Sequence, residues 1–426
     1  MATAMDPLPG TSDLWYPELG HWVELEDAAR DVFSRYGYSE LRTPIFERTD
    51  VFTRSIGNET EVVQKEMYTF EDRGGRSLTL RPEGTAGVMR AIAGKGLSEG
   101  EERRVFYIGP MFRGERPAAG RRRQFHQIGV ENVGRCSAAA DVESIAMQMH
   151  FLEAAGVQGS RLLLNTRGVS EDRESAAATF ESYFSAHIAD MCEDCRTRLQ
   201  RNVWRILDCK DPRCQPIIEK APGMIDLVSD ASRMFFEEVC EGLTRLGIEY
   251  EVSPRLVRGL DYYVHTVFEV IHSGLGAQDA VAGGGRYRIT LPGTKKAVEG
   301  VGFADGIERL VLARHASEHS NTTHRDADVY VATVGGAGII DGLSVAQRLR
   351  RANIRTVAEL LGRSMKAQMR TANKLDVRFV LIAGESELAK GVIQCKDMET
   401  SEQWEVSLDE VAADVRSRLI RKETSL

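Results

Sequence analysis

Between residues 15 and 36, apolar side chains recur at the spacing of one helical face: Leu19, Trp22, Val23, Ala29 and Phe33, with Gly37 placed as a stop. Strand-forming residues follow at 38–46, and the period then changes to two. Residues 66–71, 76–81, 104–112 and 123–133 alternate, separated by glycine-rich turns such as Arg73-Gly74-Gly75-Arg76. Short alternating runs so close together predict a mixed, mostly antiparallel sheet. Residues from about 170 to 235 break this pattern. Helical signals at 176–187, 217–225 and 232–246 surround a cysteine-bearing centre, which reads as an insertion between strands. Strand signals resume at 250–256, 262–271 and 281–287, and a helix is expected over 305–316. The polar stretch 319–326 is the linker candidate. Beyond it the order becomes strand (329–334), helix (339–351), short strand (355–358), helix (364–374), strand (377–382), a further strand and a last helix. That alternation marks a separate α/β domain of roughly 100 residues. The expected division is therefore 1–320, including the helical insertion at about 170–235, and 326–426.

Composition narrows the class. At 426 residues, 42% hydrophobic and 28% charged, the chain can bury two or three cores. Neither a repeat nor a low-complexity tract stands out, which argues against a solenoid or a disordered scaffold. No run approaches the roughly 20 apolar residues of a membrane span. The opening MATAMDPLPG has neither the basic nor the apolar region of a secretory signal, so the expected location is the cytoplasm. Seven cysteines, an odd number, argue against a disulfide framework. A formal charge of -8 disfavours indiscriminate binding to polyanions, yet screening over about 10 Å lets a local basic patch act by itself.

One such patch lies in GPMFRGERPAAGRRRQFHQIGVE, residues 109–131, which crowds Arg113, Arg116, Arg121, Arg122 and Arg123 together. Read as a strand, 125–131 puts Phe125, Gln127, Gly129 and Glu131 on one face and His126, Ile128 and Val130 on the other. Arginine is permanently charged and presents a planar donor fork that suits phosphate oxygens. A hairpin with Arg113 on one strand and Arg121 on the other could hold a polyphosphate, with Phe125 stacked on a planar base. The alternatives are a half-exposed strand with a solvated polar face and a surface charge run.

The stretch resembles motif 2 of class II aminoacyl-tRNA synthetases. Arg-x-Glu-Arg-Pro followed by Arg-Gln-Phe-His-Gln-x-Gly-x-Glu is similar to the histidyl-tRNA synthetase form. The resemblance implies that Arg113 binds the α-phosphate of ATP, that Glu115 and Phe125 lie at the adenine, that Arg121 reaches the distal phosphate, and that Gln127 and Glu131 face the amino acid. Leu80-Arg81-Pro82-Glu83-Gly84-Thr85 joins a strand to a helical run. There the family's Glu83 and Thr85 hold the substrate's α-amino group, which has only donors to offer; a plain helix cap is the other reading of Thr85. The segment Leu256-Val257-Arg258-Gly259-Leu260-Asp261-Tyr262-Tyr263 resembles a signature of histidyl-tRNA synthetases in particular. It implies that Arg258 contacts the carboxylate and α-phosphate as charge develops, with Arg258 and Arg113 as the catalytic pair. Tyr262 and Tyr263 then belong to the histidine side. Tyr263 hydrogen-bonds one imidazole nitrogen while Glu131 takes the other, a pairing that leaves analogues with buried groups unmatched.

Further segments agree in order and spacing. Ala282-Gly283-Gly284-Gly285-Arg286-Tyr287 resembles the second histidyl-specific motif, with Arg288 where the family continues with aspartate. Gly302-Phe303-Ala304-Asp305-Gly306-Ile307-Glu308-Arg309-Leu310 is similar to motif 3. It implies nucleotide binding by Arg309, and Asp305 stands where an apolar or small residue is expected. Thr43-Pro44-Ile45-Phe46-Glu47 resembles the dimer-forming motif 1, and 56–70 is family-like throughout. Ala118 replaces a glutamine that often faces the extra 5′ nucleotide of histidine tRNA, which would leave that nucleotide to backbone and arginine contacts.

The family resemblance thus implies an α+β catalytic domain with a mostly antiparallel sheet, a helical insertion and a C-terminal α/β anticodon-binding domain. It implies ATP and Mg2+ as reactants, histidine and histidine tRNA (acceptor end and anticodon) as partners, a homodimer and no membrane. Two inline steps follow: histidine's carboxylate attacks the α-phosphorus, and the tRNA's terminal ribose hydroxyl then attacks the activated carbonyl, with positioning and electrostatics carrying the rate. In the tail, Arg348, Arg350, Arg351, Arg355, Arg363, Lys366, Arg370 and Lys374 form a basic run suited to an RNA backbone, or simply a solvated helix face. Cys192, Cys195, Cys209 and Cys214 give C-x2-C and C-x4-C, which reads either as a structural zinc site or as unpaired thiols in a helical insertion. Two binding-only alternatives compete with the enzyme. One is a histidine-binding regulatory subunit of ATP phosphoribosyltransferase, which typically lacks the anticodon domain and the Arg258-type signature. The other is an uncharged-tRNA sensor domain, as in certain kinases.

Overall fold

The computed structural model describes residues 5–57, 60–98, 100–118, 120–257, 260–276, 279–290, 294, 296–316, 325–334 and 338–423. Arg258, Gly259 and most of the expected linker lie outside the described residues. The chain divides into two compact units, Met1–Thr322 and Thr323–Leu426.

The first unit is built on an eight-stranded sheet. Its strands, in spatial order, are β1 (Ser39–Glu40), β5 (Arg103–Phe112), β6 (Gln124–Val133), β11 (Ala297–Gly306), β10 (Ala280–Thr290), β9 (Tyr263–His272), β7 (Ser160–Thr166) and β8 (Glu251–Val252). Pairing is antiparallel from β5 through β7, and only the two short edge strands run parallel to their neighbours. The predicted hairpin is present in the register Arg103↔Val133 to Phe112↔Gln124. One face of the sheet is covered by the helices Glu18–Arg35, Ala138–Ala154, Asp230–Arg245 and Ile307–Ala316. They bury Trp22, Leu25, Phe33, Phe151, Phe236 and Leu243 against Ile128, Phe268 and Phe303. The opposite face carries Tyr107, Tyr262, Tyr263 and Tyr287 with Val88 and Met89 of the helix Thr85–Lys95. Alternation along each strand therefore separates a structural face from a face available for chemistry. Beside this sheet, β2 (Phe46–Arg48), β4 (Ser77–Leu80) and β3 (Thr69–Glu71) form a small antiparallel sheet.

The helical segment that interrupts the strands has its own apolar core, centred on Phe180, Phe184, Ile206 and Ile218. The single helix expected over 217–225 is two short ones, Gln215–Glu219 and Met224–Leu227. Pro222-Gly223 divides them, since proline lacks the amide a helix needs. The helix Asp230–Arg245 joins the core under the large sheet. The helix expected to start at 305 starts instead at Ile307, because β11 runs on to Gly306.

The second unit has a five-stranded sheet in the order β13 (Thr356–Ala358), β12 (Val329–Val334), β14 (Phe379–Gly384), β15 (Val392–Asp397) and β16 (Gln403–Ser407). The first three are parallel and the last two antiparallel. Val331, Leu349, Phe379, Leu381 and Val415 fill one core, while Tyr330, Ala372 and Val380 fill another on the opposite face of the sheet. Among the described residues no helix is long and apolar enough to cross a membrane.

Candidate active site

Strand β6 presents Gln127 and Glu131 to the open face of the large sheet, where both line a cleft with a cavity volume of about 80 Å³. Two strand glycines make room for it. A Cβ at Gly129 would lie 2.4 Å from the Tyr107 ring, and one at Gly302 would lie 2.4 Å from Glu131 Oε2, so neither position accepts a side chain without displacement. The cleft is lined further by Glu83, Thr85, Tyr107, Arg113, Tyr262, Tyr263, Gly283 and Tyr287. Glu131 and Tyr263, expected at the two edges of an imidazole, thus face one cavity.

Glu83 accepts hydrogen bonds from the amides of Thr85 and Ala86, both 2.8 Å, and so caps the helix Thr85–Lys95 with its side chain. Thr85 is not the cap. Its hydroxyl donates to Glu131 Oε1 at 2.6 Å. Glu131 is 2% exposed, and its Oε2 has no hydrogen-bond partner among the described residues. Burial pushes the Glu131 carboxyl up to about 8, against the opposing pull of the Thr85 hydroxyl and the neighbouring Tyr287 phenol, and raises Glu83 as well. The same burial keeps the phenols of Tyr107, Tyr262 and Tyr287 protonated far above the ordinary range, as fixed donors. Gln127 Oε1 is likewise buried and unpartnered among the described residues. Unmatched acceptors at Gln127 and Glu131, in a cleft walled by phenols, suit a small ligand rich in N–H groups.

The five crowded arginines have separate fates. Arg113 lines the cleft, donates from Nε to the Pro82 carbonyl at 2.9 Å, and lies 5.2 Å from the centroid of Phe125. Arg121 pairs with Glu115 at 3.4 Å. Arg122 donates to Ser12 Oγ at 2.6 Å. Arg123 has its Nε buried, and its amide donates to the Gly10 carbonyl at 2.9 Å. Arg116 is exposed. Arg309, at the start of its helix, donates from Nε to the Gly120 carbonyl at 3.2 Å and from Nη1 to the Ala280 carbonyl at 2.5 Å. Burial lowers its pKa, and the nearby Arg121 charge lowers it further, while Glu115, Glu269 and Asp279 oppose both. Arg121, Glu115 and Arg309 therefore form one charged group around the turn at Gly120, separate from the lining of the cleft. Arg258 falls outside the described residues.

Three residues of this region were not singled out from sequence. Tyr107 and Tyr287 wall the cleft, and the glycine opposite Tyr107 in the hairpin, Gly129, was the available signal. Arg81 is buried, donating from Nε to the Pro110 carbonyl at 2.8 Å and from Nη1 to the Thr43 carbonyl and hydroxyl at 3.1 Å, which ties the 43–47 segment to β5. The departures noted in the sequence are also placed. Asp305 points to the helical face, fully buried, where Gln148 Nε2 donates to its Oδ1 at 2.8 Å and burial pushes its carboxyl up to about 8. Arg286 is fully buried and paired with Asp141 at 2.6 Å. Arg288 is exposed, and its amide donates to the Tyr262 carbonyl at 2.9 Å. The thiols of Cys192, Cys195, Cys209 and Cys214 gather in the helical segment, and none of them lines the cleft.

In the second unit part of the basic run is already committed. Arg355 pairs with Asp328 at 2.7 Å, Arg363 with Glu359 at 2.8 Å and Arg348 with Asp409 at 3.1 Å. Lys366 and Arg370 are exposed one turn apart on the helix Met365–Lys374.

Comparison with known proteins covers most of the chain. A family model described as histidyl-tRNA synthetase matches residues 10–187, and an anticodon binding domain model matches residues 328–418. The histidine–tRNA ligase of Halothermothrix orenii is 45% identical over 94% of this chain and 96% of its own. That of Oleidesulfovibrio alaskensis is 47% identical over 94% and 97%. The crystal structure of apo S. aureus histidyl-tRNA synthetase superposes with a TM-score of 0.79 at 33% identity, covering 96% of this chain and all of the other.

Proposed function

The chain belongs to the histidyl-tRNA synthetase family, and from that premise we propose how its residues share the work of charging tRNA with histidine. The activity is that of a histidine–tRNA ligase, which activates histidine with ATP to histidyl adenylate and passes it to the 3′ end of histidine tRNA. Full-length identity to such ligases, together with an anticodon-binding domain, separates it from the histidine-binding regulatory paralogue.

Histidine lies with its imidazole between Glu131 Oε2 and the Tyr263 phenol, and with its ammonium at Glu83, Thr85 and Gln127. The observation that carries this reading is the buried Glu131 Oε2, which lacks a well-formed hydrogen bond among the described residues although the Tyr287 phenol lies near the carboxylate, in the cleft that Tyr263 also lines. Burial makes Glu131 expensive to ionise alone, so an N–H donor or an imidazolium at Oε2 is what lets its charge form. Arg113, anchored through Nε on the Pro82 carbonyl, keeps its remaining donors for the α-phosphate. Arg121, Glu115 and Arg309 take the distal phosphates and the adenine, with Phe125 at the base, and Arg258 follows the charge that develops on the transferring phosphorus. Mg2+ would come with the nucleotide, and Glu269 and Asp279, whose charges act on Arg309, would hold it on that side, where it would neutralise phosphate charge. No side chain has to act as a strong base, because the nucleophile is a carboxylate already ionised at neutral pH.

The second unit holds the anticodon stem, and the protein works as a cytoplasmic homodimer. Support for the dimer comes from Ile45, Phe46, Tyr68 and Phe70, apolar side chains 37% or more exposed around the small sheet. Histidine-dependent ATP–pyrophosphate exchange tests the whole reading. The wild type exchanges with histidine and with no other amino acid; exchange driven by a different amino acid, or none at all, overturns it.

A further inference from the structure

We propose that Cys192, Cys195, Cys209 and Cys214 bind one zinc ion as a tetrahedral tetrathiolate, and that this centre steadies the helix that grips the Tyr263 strand. The proposal does not depend on which amino acid the cleft selects.

The geometry is close to that of a filled site. Zinc–sulfur bonds of about 2.3 Å at tetrahedral angles place sulfurs about 3.8 Å apart. Cys192 and Cys209 Sγ are 3.8 Å apart, and the four sulfurs all lie within 4.8 Å of one another. A disulfide needs sulfurs at about 2.0 Å. All four cysteines are buried. Backbone amides already point at the sulfurs: Cys192 N–H donates to Cys214 Sγ at 3.2 Å, Cys195 N–H to Cys192 Sγ at 3.4 Å and Asp211 N–H to Cys209 Sγ at 3.4 Å. Such donors favour thiolate over thiol. The 209–214 turn carries Lys210, Asp211 and Arg213, and with Arg213 paired to Asp211 at 2.8 Å one net positive charge is left there to offset part of the negative charge of four thiolates on one divalent ion. Binding is not redox chemistry. Four thiols lose four protons to solvent and four sulfur–metal bonds form.

A metal also answers a shortage. Four of the fourteen buried members of this segment's core are these cysteines. A helical segment of this size buries little apolar surface and gains most from a metal staple.

What the staple holds can be followed outward. The short turn Val203–Ile206 lies between the two cysteine pairs. Its Trp204 ring lies 5.4 Å from the buried Arg167 guanidinium and packs edge-on against Phe180 of the helix Ser170–His187. Arg173, on that same helix, donates to the carbonyl of Asp261 at 3.0 Å and to that of Tyr263 at 3.2 Å. Arg205 donates to Glu61 Oε2 at 2.6 Å. Arg173 is thus a positioning residue: it touches the backbone that presents Tyr263, not the ligand.

The test is metal content of the full-length protein purified under reducing conditions. We expect about one zinc per chain by mass spectrometry. Titration with a mercurial reagent should release it in proportion to thiols modified. Replacement by Co2+ should give the strong visible bands of a tetrahedral thiolate site. Cys214→Ser should lose the metal, whereas Cys136→Ser, an exposed cysteine elsewhere, should keep it. Should Cys214→Ser fail to fold, the wild-type zinc stoichiometry and Co2+ spectrum still decide. A wild-type protein with no zinc, no Co2+ thiolate bands and four freely reacting thiols overturns the site. For the coupling, chelation of zinc should raise the KM for histidine in pyrophosphate exchange about tenfold. An unchanged KM in protein shown to be zinc-free leaves the site and overturns the coupling. Because zinc is read directly, failure of the histidine assignment would show separately, as exchange with the wrong amino acid by a zinc-loaded protein.

Discussion

Glu131 and Asp305 occupy opposite faces of the neighbouring strands β6 and β11, and burial pushes both carboxyls up to about 8. In the unfolded chain each would ionise near pH 4. Between those values the folded protein holds a proton that the unfolded chain has lost. Stability therefore falls as pH rises through that window, by about 1.4 kcal/mol per pH unit for each group, and the loss is absent below it. Asp305→Asn keeps the Oδ1 acceptor for Gln148 and has nothing to ionise. Its melting temperature should exceed the parent's at pH 8 and converge with it near pH 4; a gain of equal size at both would refute the assignment. Glu131→Gln tests the cleft. With the Thr85 hydroxyl holding the amide oxygen, it puts an uncharged NH2 donor where the imidazole needs an acceptor, so the KM for histidine should rise about a hundredfold, the equivalent of about 3 kcal/mol. The KM for ATP should hold steady, and a matching rise in it would mean Glu131 serves the cleft as a whole.

At the scale of the element, the β5–β6 hairpin works because glycine sits opposite tyrosine. Gly129→Ala would drive a Cβ into the Tyr107 ring, and we expect exchange activity to fall at least tenfold with a lowered melting temperature. Full activity would show that the ring moves aside freely. On the helix Met365–Lys374, Lys366→Glu with Arg370→Glu should raise the KM for tRNA and flatten its dependence on salt, while histidine-dependent exchange stays unchanged. Elements of this kind were readable from the chain. The helix Glu18–Arg35, the hairpin and the alternating tail each carry their pattern within a few turns or one strand pair. Contacts set by long-range register were not. The Thr85–Glu131 bond joins residues 46 apart, and no local period announces it. Asp305 looked like the start of a helix, whereas two more residues of β11 turned it onto the buried face. Pro222-Gly223 was visible, but the apolar spacing on either side masked the break it causes.

For the whole molecule, association should follow the small sheet. Phe46 and Phe70, 51% and 43% exposed with ring centroids 6.4 Å apart, form an apolar patch that a second copy would cover. Phe46→Glu with Phe70→Glu should shift sedimentation from dimer to monomer; a dimer unmoved by both changes would place the interface elsewhere. The two compact units have separate cores, so damage to one need not unfold the other. Lesions then become separable by genetics. One allele crippled in amino-acid activation and another blind to the anticodon can be co-expressed. Growth restored by the mixed pair would reveal that a single tRNA is read by one polypeptide and aminoacylated by its mate, whereas continued lethality would assign both tasks to the same polypeptide.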